Sequence, residues 1–180
     1  MNSDSPTRLR EAILYVCQNC NEDDSFASTK LNKILWLADT RAYLDLGRPL
    51  TGSEYLRLPN GPAPYGMAPA QRAMIAAQEL EVQVLPCFDF EQKKPIAKRP
   101  ANMAAFNPGE ISHLDFAIQY FWGMSARAVS ELSHENSIGW QIVDDGDLIP
   151  WETAFLSNAP MTPEEGAHGL DLAGRFGWAV

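Results

Sequence analysis

The sequence predicts a mainly α-helical domain of about six helices with one small β-hairpin inserted halfway, α+β by strict count. Three observations predict it. Apolar residues recur at helical spacing through most of the chain. Alternating β-forming residues are confined to one stretch near the middle. The strand–helix alternation that a parallel sheet requires is missing, which argues against a doubly wound or barrel fold. With 180 residues the chain suits a single domain, 1–180, long enough to bury a true core without disulfides.

Each element follows from local signals. Ser5 is placed to cap a first helix with Pro6 at its first helical position, and Leu9, Ile13, Val16, Cys17 and Cys20 fall on one face. A polar connection, NEDDSFAS, leads to a second helix over STKLNKILWLADTRAYLDLG. Ser28 or Thr29 can cap it, and Gly47 can end it in the left-handed conformation. Leu31, Ile34, Leu35, Ala38 and Ala42 form its stripe, while Trp36, Leu37, Tyr43 and Leu44 widen the apolar surface, so this helix is central and packed on more than one side.

The stretch YLRLPNGPAPYGM then holds three prolines and two glycines among apolar residues. Proline fixes its own φ and pushes the preceding residue toward extended geometry. The stretch therefore reads as a stiff extended crossing between helices, with Leu56 and Leu58 tucked under it. A short helix follows over APAQRAMIAAQELE, with Met74, Ile75 and Leu80 inward. VQVLPCFDFEQKKPIAKRP reads as strand, turn and strand, with EQKKP as the turn and Pro86 marking an edge or bulge.

Asn107, Pro108 and Glu110 spell a capping box opening a helix with Ile111, Leu114, Ile118 and Phe121 inward. Ser125 starts another, burying Ala128, Val129 and Leu132. DLIPWETAF is a short extended piece followed by a helical turn. Thr162 and Pro163 open a last helix that Gly166 and Gly169 weaken.

Composition narrows function. The net charge is −9, which disfavours a role built on phosphate contacts and suits a basic protein partner. The one basic cluster, KKPIAKR, is short and proline-broken, a solvated hairpin. The three cysteines, the polar opening residues and the lack of a long apolar run point to a reducing cytoplasm and no membrane span. Cys17 and Cys20 lie one helical turn apart with no second pair or histidine set to complete a metal site, and Cys87 stands alone. Ser133 and His134 are adjacent and cannot by themselves form a nucleophile–base pair; one of them closes a helix end instead. NGPAPYG lacks the Lys and Ser/Thr of a phosphate loop. The sequence thus assigns no catalytic, cofactor or metal residue.

Two sets of motifs resemble a known family. Lys30-Leu31-Asn32-Lys33-Ile34-Leu35, then Leu50-Thr51-Gly52 with Tyr55, then Gly61-Pro62-Ala63-Pro64, form the first. His134 at a helix end, Trp140, and Ile149-Pro150-Trp151 form the second. In this order and spacing they resemble the Panacea domain, the phage-associated, SocA-like antitoxin family, most strongly over 29–155. The chain departs at Asn60, where the family often has an aromatic residue, and at Ala63, where it usually has Val.

The resemblance implies a largely helical domain that neutralises a cognate toxin by direct binding. It brings no established enzymatic activity. Family-motif residues and apolar loop or tail residues, namely Tyr55, Gly61, Pro62, Pro64, Tyr65, His134, Trp140, Trp151, Phe176 and Trp178, are the expected motif or partner-contact positions. The tail with Phe176 and Trp178 either packs on its own core or docks on a partner. Two other readings stand: a small ligand-binding protein or enzyme with a pocket near His134 and Trp140, and a DNA-binding autorepressor, for which no basic recognition helix is evident. Self-association into a homo-oligomer stays open.

Overall fold

The computed structural model describes residues 5–87, 90–157 and 162–177. Its helices are α1 (Ser5–Asn19), α2 (Ser28–Leu46), α3 (Met67–Ala76), α4 (Pro108–Phe121), α5 (Ala126–Glu135), α6 (Ile138–Ile142) and α7 (Pro163–Phe176). Strands β1 (Tyr55–Leu56), β2 (Ala63–Pro64), β3 (Leu80–Cys87), β4 (Phe90–Ala97) and β5 (Leu148–Ile149) stand between them, with 3₁₀ turns at Met103–Ala105 and Trp151–Phe155. The described residues are therefore mainly helical, as expected, but with one more helix and one more sheet than the sequence suggested.

Helix α2 is the axis. It packs against α1, α4, α5, β2, β4 and the second 3₁₀ turn, and Leu31, Ile34, Leu35, Ala38 and Ala42 are all buried. Leu9, Ile13, Val16, Cys17 and Cys20 of α1 join them, with Leu114, Ile118 and Phe121 of α4 and Val129 of α5. Three of the expected stops and starts hold. Gly47 has φ +71° and closes α2 through its N–H to Tyr43 O. Asn107 and Glu110 exchange capping bonds at the start of α4. Ser125 accepts from the N–H of Ala128.

Several expectations are corrected. Ser28 does not cap α2: the N-cap is Ala27, without a side-chain bond, because the Ser28 hydroxyl donates to Lys93 O on β4. Ile75 is 45% exposed, since α3 turns only Met67 and Met74 inward. EQKKP is not the hairpin turn but part of β4. The register pairs Cys87 with Phe90, so the connection is two residues long. The run is drawn out along α1 and the α1–α2 loop, where Gln92 donates to Phe26 O and Lys94 to Asn21 O. The basic cluster is largely engaged within the chain: Arg99 pairs with Glu11 and Glu79, and Lys98 with Glu81.

YLRLPNGPAPYGM is not a straight crossing. It is a tight antiparallel hairpin, Tyr55 opposite Pro64 and Leu56 opposite Ala63. β1 is also paired on its other edge with β5, Tyr55 opposite Ile149, giving the sheet order β2-β1-β5. Gly61, at φ +96°, turns the chain back. Tyr55 is the residue tucked under, while Leu58 is exposed.

Candidate partner-binding site

The β2-β1-β5 sheet, the end of α5, α6 and the second 3₁₀ turn meet along one side of α2, where a second small core of Trp36, Tyr55 and Ile149 packs with Trp140, Val143 and Trp151. Seven of the ten positions singled out from sequence fall here: Tyr55, Gly61, Pro62, Pro64, His134, Trp140 and Trp151. Tyr65 borders it, exposed, with its N–H bonded to Glu54 O. Phe176 is the last residue of α7, its side chain outside the description, and Trp178 lies outside the described residues.

The Gly61 turn is built into its neighbours. A β-carbon there would sit 2.5 Å from Ser133 Oγ, 2.8 Å from Lys33 Cε and 3.1 Å from His134 Cδ2, so the position needs glycine for space as well as for φ. Lys33, buried on α2, donates from Nζ to Pro62 O at 2.8 Å and so pins the turn to the central helix. Burial away from water pulls its ammonium down to a pKa of about 7.

His134 ends α5 and stacks on Trp140, ring centroids 3.8 Å apart and 6° from parallel. Burial, then the charges of Lys33 and Arg57, hold its imidazole below the usual range, and its buried Nε2 has no hydrogen-bond partner. Arg57 lies over the Trp140 ring, and Trp140 Nε1 donates to Leu58 O at 3.0 Å. The sequence reading that His134 or Ser133 closes a helix end is met in part: Ser133 Oγ donates to Ser130 O, and Gln141 Nε2 donates to His134 O.

One helical turn and a half along α2, Asp39 organises the other side. Its buried carboxylate accepts from Thr51 N, Thr51 Oγ1 and Tyr55 OH. Burial raises its pKa to about 6 against the pull of these bonds. Tyr55 is thereby held with its ring edge-on to Trp151, centroids 5.6 Å apart at 84°. Trp151 stacks on Tyr43 at 5.1 Å, and Phe155 tilts onto Tyr43 at 5.8 Å.

Between these groups lies a cavity of about 40 Å³, lined chiefly by Trp36, Tyr55, Ile149, Pro150, Trp151 and Thr153. That is room for a few waters or the tip of one side chain. Asn136 and Ser137 also border it, whereas His134 and Trp140, named for the expected pocket, flank the 136–137 segment in sequence without lining the cavity themselves. Among the described residues no three His, Cys, Asp or Glu side chains converge on a metal-sized space. Cys17 and Cys20 lie in the main core, where burial pushes up both thiols, that of Cys20 to about 12. No described helix is long and apolar enough to cross a membrane.

Sequence reasoning missed Trp36, Asp39 and Arg57 as parts of this site and missed what Lys33 does. The available signal was Lys30, Lys33 and Asp39 interrupting the apolar run of the central helix. No curated protein and no solved structure matches the chain. A family model, described as antitoxin SocA-like, Panacea domain, matches residues 31–141. That span holds Lys33, Asp39, Tyr55, the Gly61–Pro62 turn, His134 and Trp140, and stops short of β5 and Trp151. The match covers well over half of the sequence, and the chain belongs to the SocA-like antitoxin family, the Panacea domain.

Proposed function

We propose that the protein is an antitoxin that neutralises a cognate toxin by direct protein–protein binding, without catalysing a reaction. The observation that carries this reading is membership of the SocA-like antitoxin family. The geometry supports it. Lys33, Asp39 and Tyr55 are turned inward, where they fix the turns of the sheet end. What this end turns outward includes the apolar and aromatic side chains of Tyr65, Ile142 and Phe155. A surface held rigid from beneath loses less entropy on binding. In this reading Gly61, Pro62, Pro64, His134 and Trp140 hold the surface in shape, and Tyr65 is a contact. Phe176 and Trp178 are a proposed second contact, which removal of residues 175–180 without loss of protection would eliminate.

The test is genetic and direct. Expression of the reading frame adjacent to this gene arrests growth, co-expression of this chain restores it, and the two proteins co-purify. Growth arrest that this chain fails to relieve refutes the antitoxin reading.

A further inference from the structure

The charge of this protein is unevenly placed. Residues 1–100 carry 12 Asp and Glu against 12 Lys and Arg, whereas residues 101–180 carry 11 against 2, so the second part holds the whole net charge of −9. In the first part much of the charge is paired internally, as in Lys30–Asp23 and Arg99–Glu11. In the second, Asp144, Asp147 and Glu152 are exposed around β5 and the second 3₁₀ turn, as is Asp145, which pairs with Arg57 at 3.0 Å.

Apolar side chains are exposed among these carboxylates. Ile142 is 65% exposed and Phe155 64%, with Leu148 and Leu156 also open to solvent. A lone exposed leucine needs no explanation. Apolar groups set within a charged border have the composition of an interface. The aromatic cavity opens in the same region. Its perpendicular Tyr55 and Trp151 rings form a corner, and the exposed Glu152 is the chain neighbour of its lining residues Trp151 and Thr153. Aromatic faces and carboxylates both attract a cation.

We propose that this end of the molecule is the toxin-docking face, and that it takes a protein with a basic surface, which sets an arginine or lysine side chain into the Trp36–Tyr55–Trp151 cavity. The inference rests on the antitoxin reading. Nucleic acids and anionic lipid surfaces carry the wrong charge for this face.

The experiment uses the full chain co-expressed with, and purified against, the product of the adjacent reading frame. Asp144→Lys/Asp147→Lys/Glu152→Lys reverses the border. Ala154→Phe plugs the cavity from its partly exposed edge. Glu22→Lys/Asp24→Lys/Glu91→Lys makes the same charge change on exposed positions elsewhere. All are compared at matched thermal unfolding. The border variant loses growth rescue and weakens Kd about 100-fold at low salt, the control variant rescues like the wild type, and only the wild-type and control Kd values weaken as salt is raised. Ala154→Phe weakens Kd about tenfold. Full rescue by the border variant overturns the docking face and leaves the antitoxin reading standing. An unchanged Kd for Ala154→Phe removes the basic side chain from the cavity. No rescue by the wild type overturns the antitoxin reading and the face with it. A wild-type oligomer that the border variant abolishes without affecting rescue assigns the face to a second copy and overturns the proposal.

Discussion

Helix α2 buries two lysines one turn apart, one toward the main core and one toward the small sheet, in opposite ways. Lys30, at the main core, is fully buried against Asp23 at 2.7 Å, with Ser25 as a further partner. Burial raises the Asp23 carboxyl, but the bonds from Lys30 and Ser25 outweigh it and hold it below the usual range. Lys33, three residues on, faces the sheet end with the neutral carbonyl of Pro62 as its partner. His134, whose imidazole burial and the charges of Lys33 and Arg57 hold below its usual range, shares this side, while Asp39 is tied to Thr51 and Tyr55. A buried ion pair is costly to break and modest in net value. A buried cation on a carbonyl is a positional device, and its protonation is soft. The main core is therefore locked, and the sheet end is held in place by groups whose charge can change.

The largest effect should come from the locked pair. Lys30→Met leaves Asp23 buried without its counter-charge and should cost about 3–5 kcal/mol in urea unfolding. Lys33→Met loses one hydrogen bond but also a desolvated charge, and should cost no more than about 2 kcal/mol. A larger loss for Lys33→Met would break the comparison.

Gly61→Ala comes next. It meets Ser133, Lys33 and a positive φ together, and should cost about 3 kcal/mol from crowding and backbone strain. Gly47→Ala, at φ +71° with nothing within 4 Å, should cost only about 1 kcal/mol. Equal losses at the two glycines would show that the hairpin yields to its neighbours.

The soft charge predicts a pH signature. Lys33 has a folded pKa of about 7, below an unfolded value of about 10.4. Between these, the unfolded chain binds a proton that the folded chain does not, so stability attributable to Lys33 rises with pH above about 7 and is absent below it. The wild type should gain on Lys33→Met by about 1 kcal/mol per pH unit from pH 7.5 to 9.5. A flat difference would place a counter-charge on Lys33. The smallest effect is expected at Gln78, a non-glycine residue at φ +57° where the chain leaves α3. Gln78→Gly should raise the melting temperature slightly, by under about 1 kcal/mol of added stability.

The same contrast separates what the sequence revealed from what it hid. The main core was legible because its signals are local. A 3.6-residue stripe, the Asn107–Glu110 box and the Gly47 stop each act within one helix. The sheet end was not. Its strands are two residues long, too short for an alternation to show, and Tyr55 pairs with Ile149 across most of the chain. The prolines of PNGPAP argued for an extended crossing, yet the chain turns back at Gly61, held by Lys33 reaching across from α2. Lys33 appeared in the sequence only as a motif position, because lysine is rarely fully buried and its partner, the Pro62 carbonyl, is a backbone group 29 residues away.

The pairing of β1 with β5 also orders events in time. During synthesis a chain emerges from its N-terminus, and contacts between distant residues form late. Tyr55 and the Pro62 turn can dock on α2 early, but the second edge of β1 stays open, and Trp36 and Tyr55 lack Ile149 beside them, until residues 148–149 have left the ribosome. A nascent or truncated chain ending before β5 can thus own most of a core and still lack this surface. Whatever this surface binds, it can bind only after β5 has been made, so a copy interrupted before residue 149 adds to the amount of main core but not to the amount of this surface.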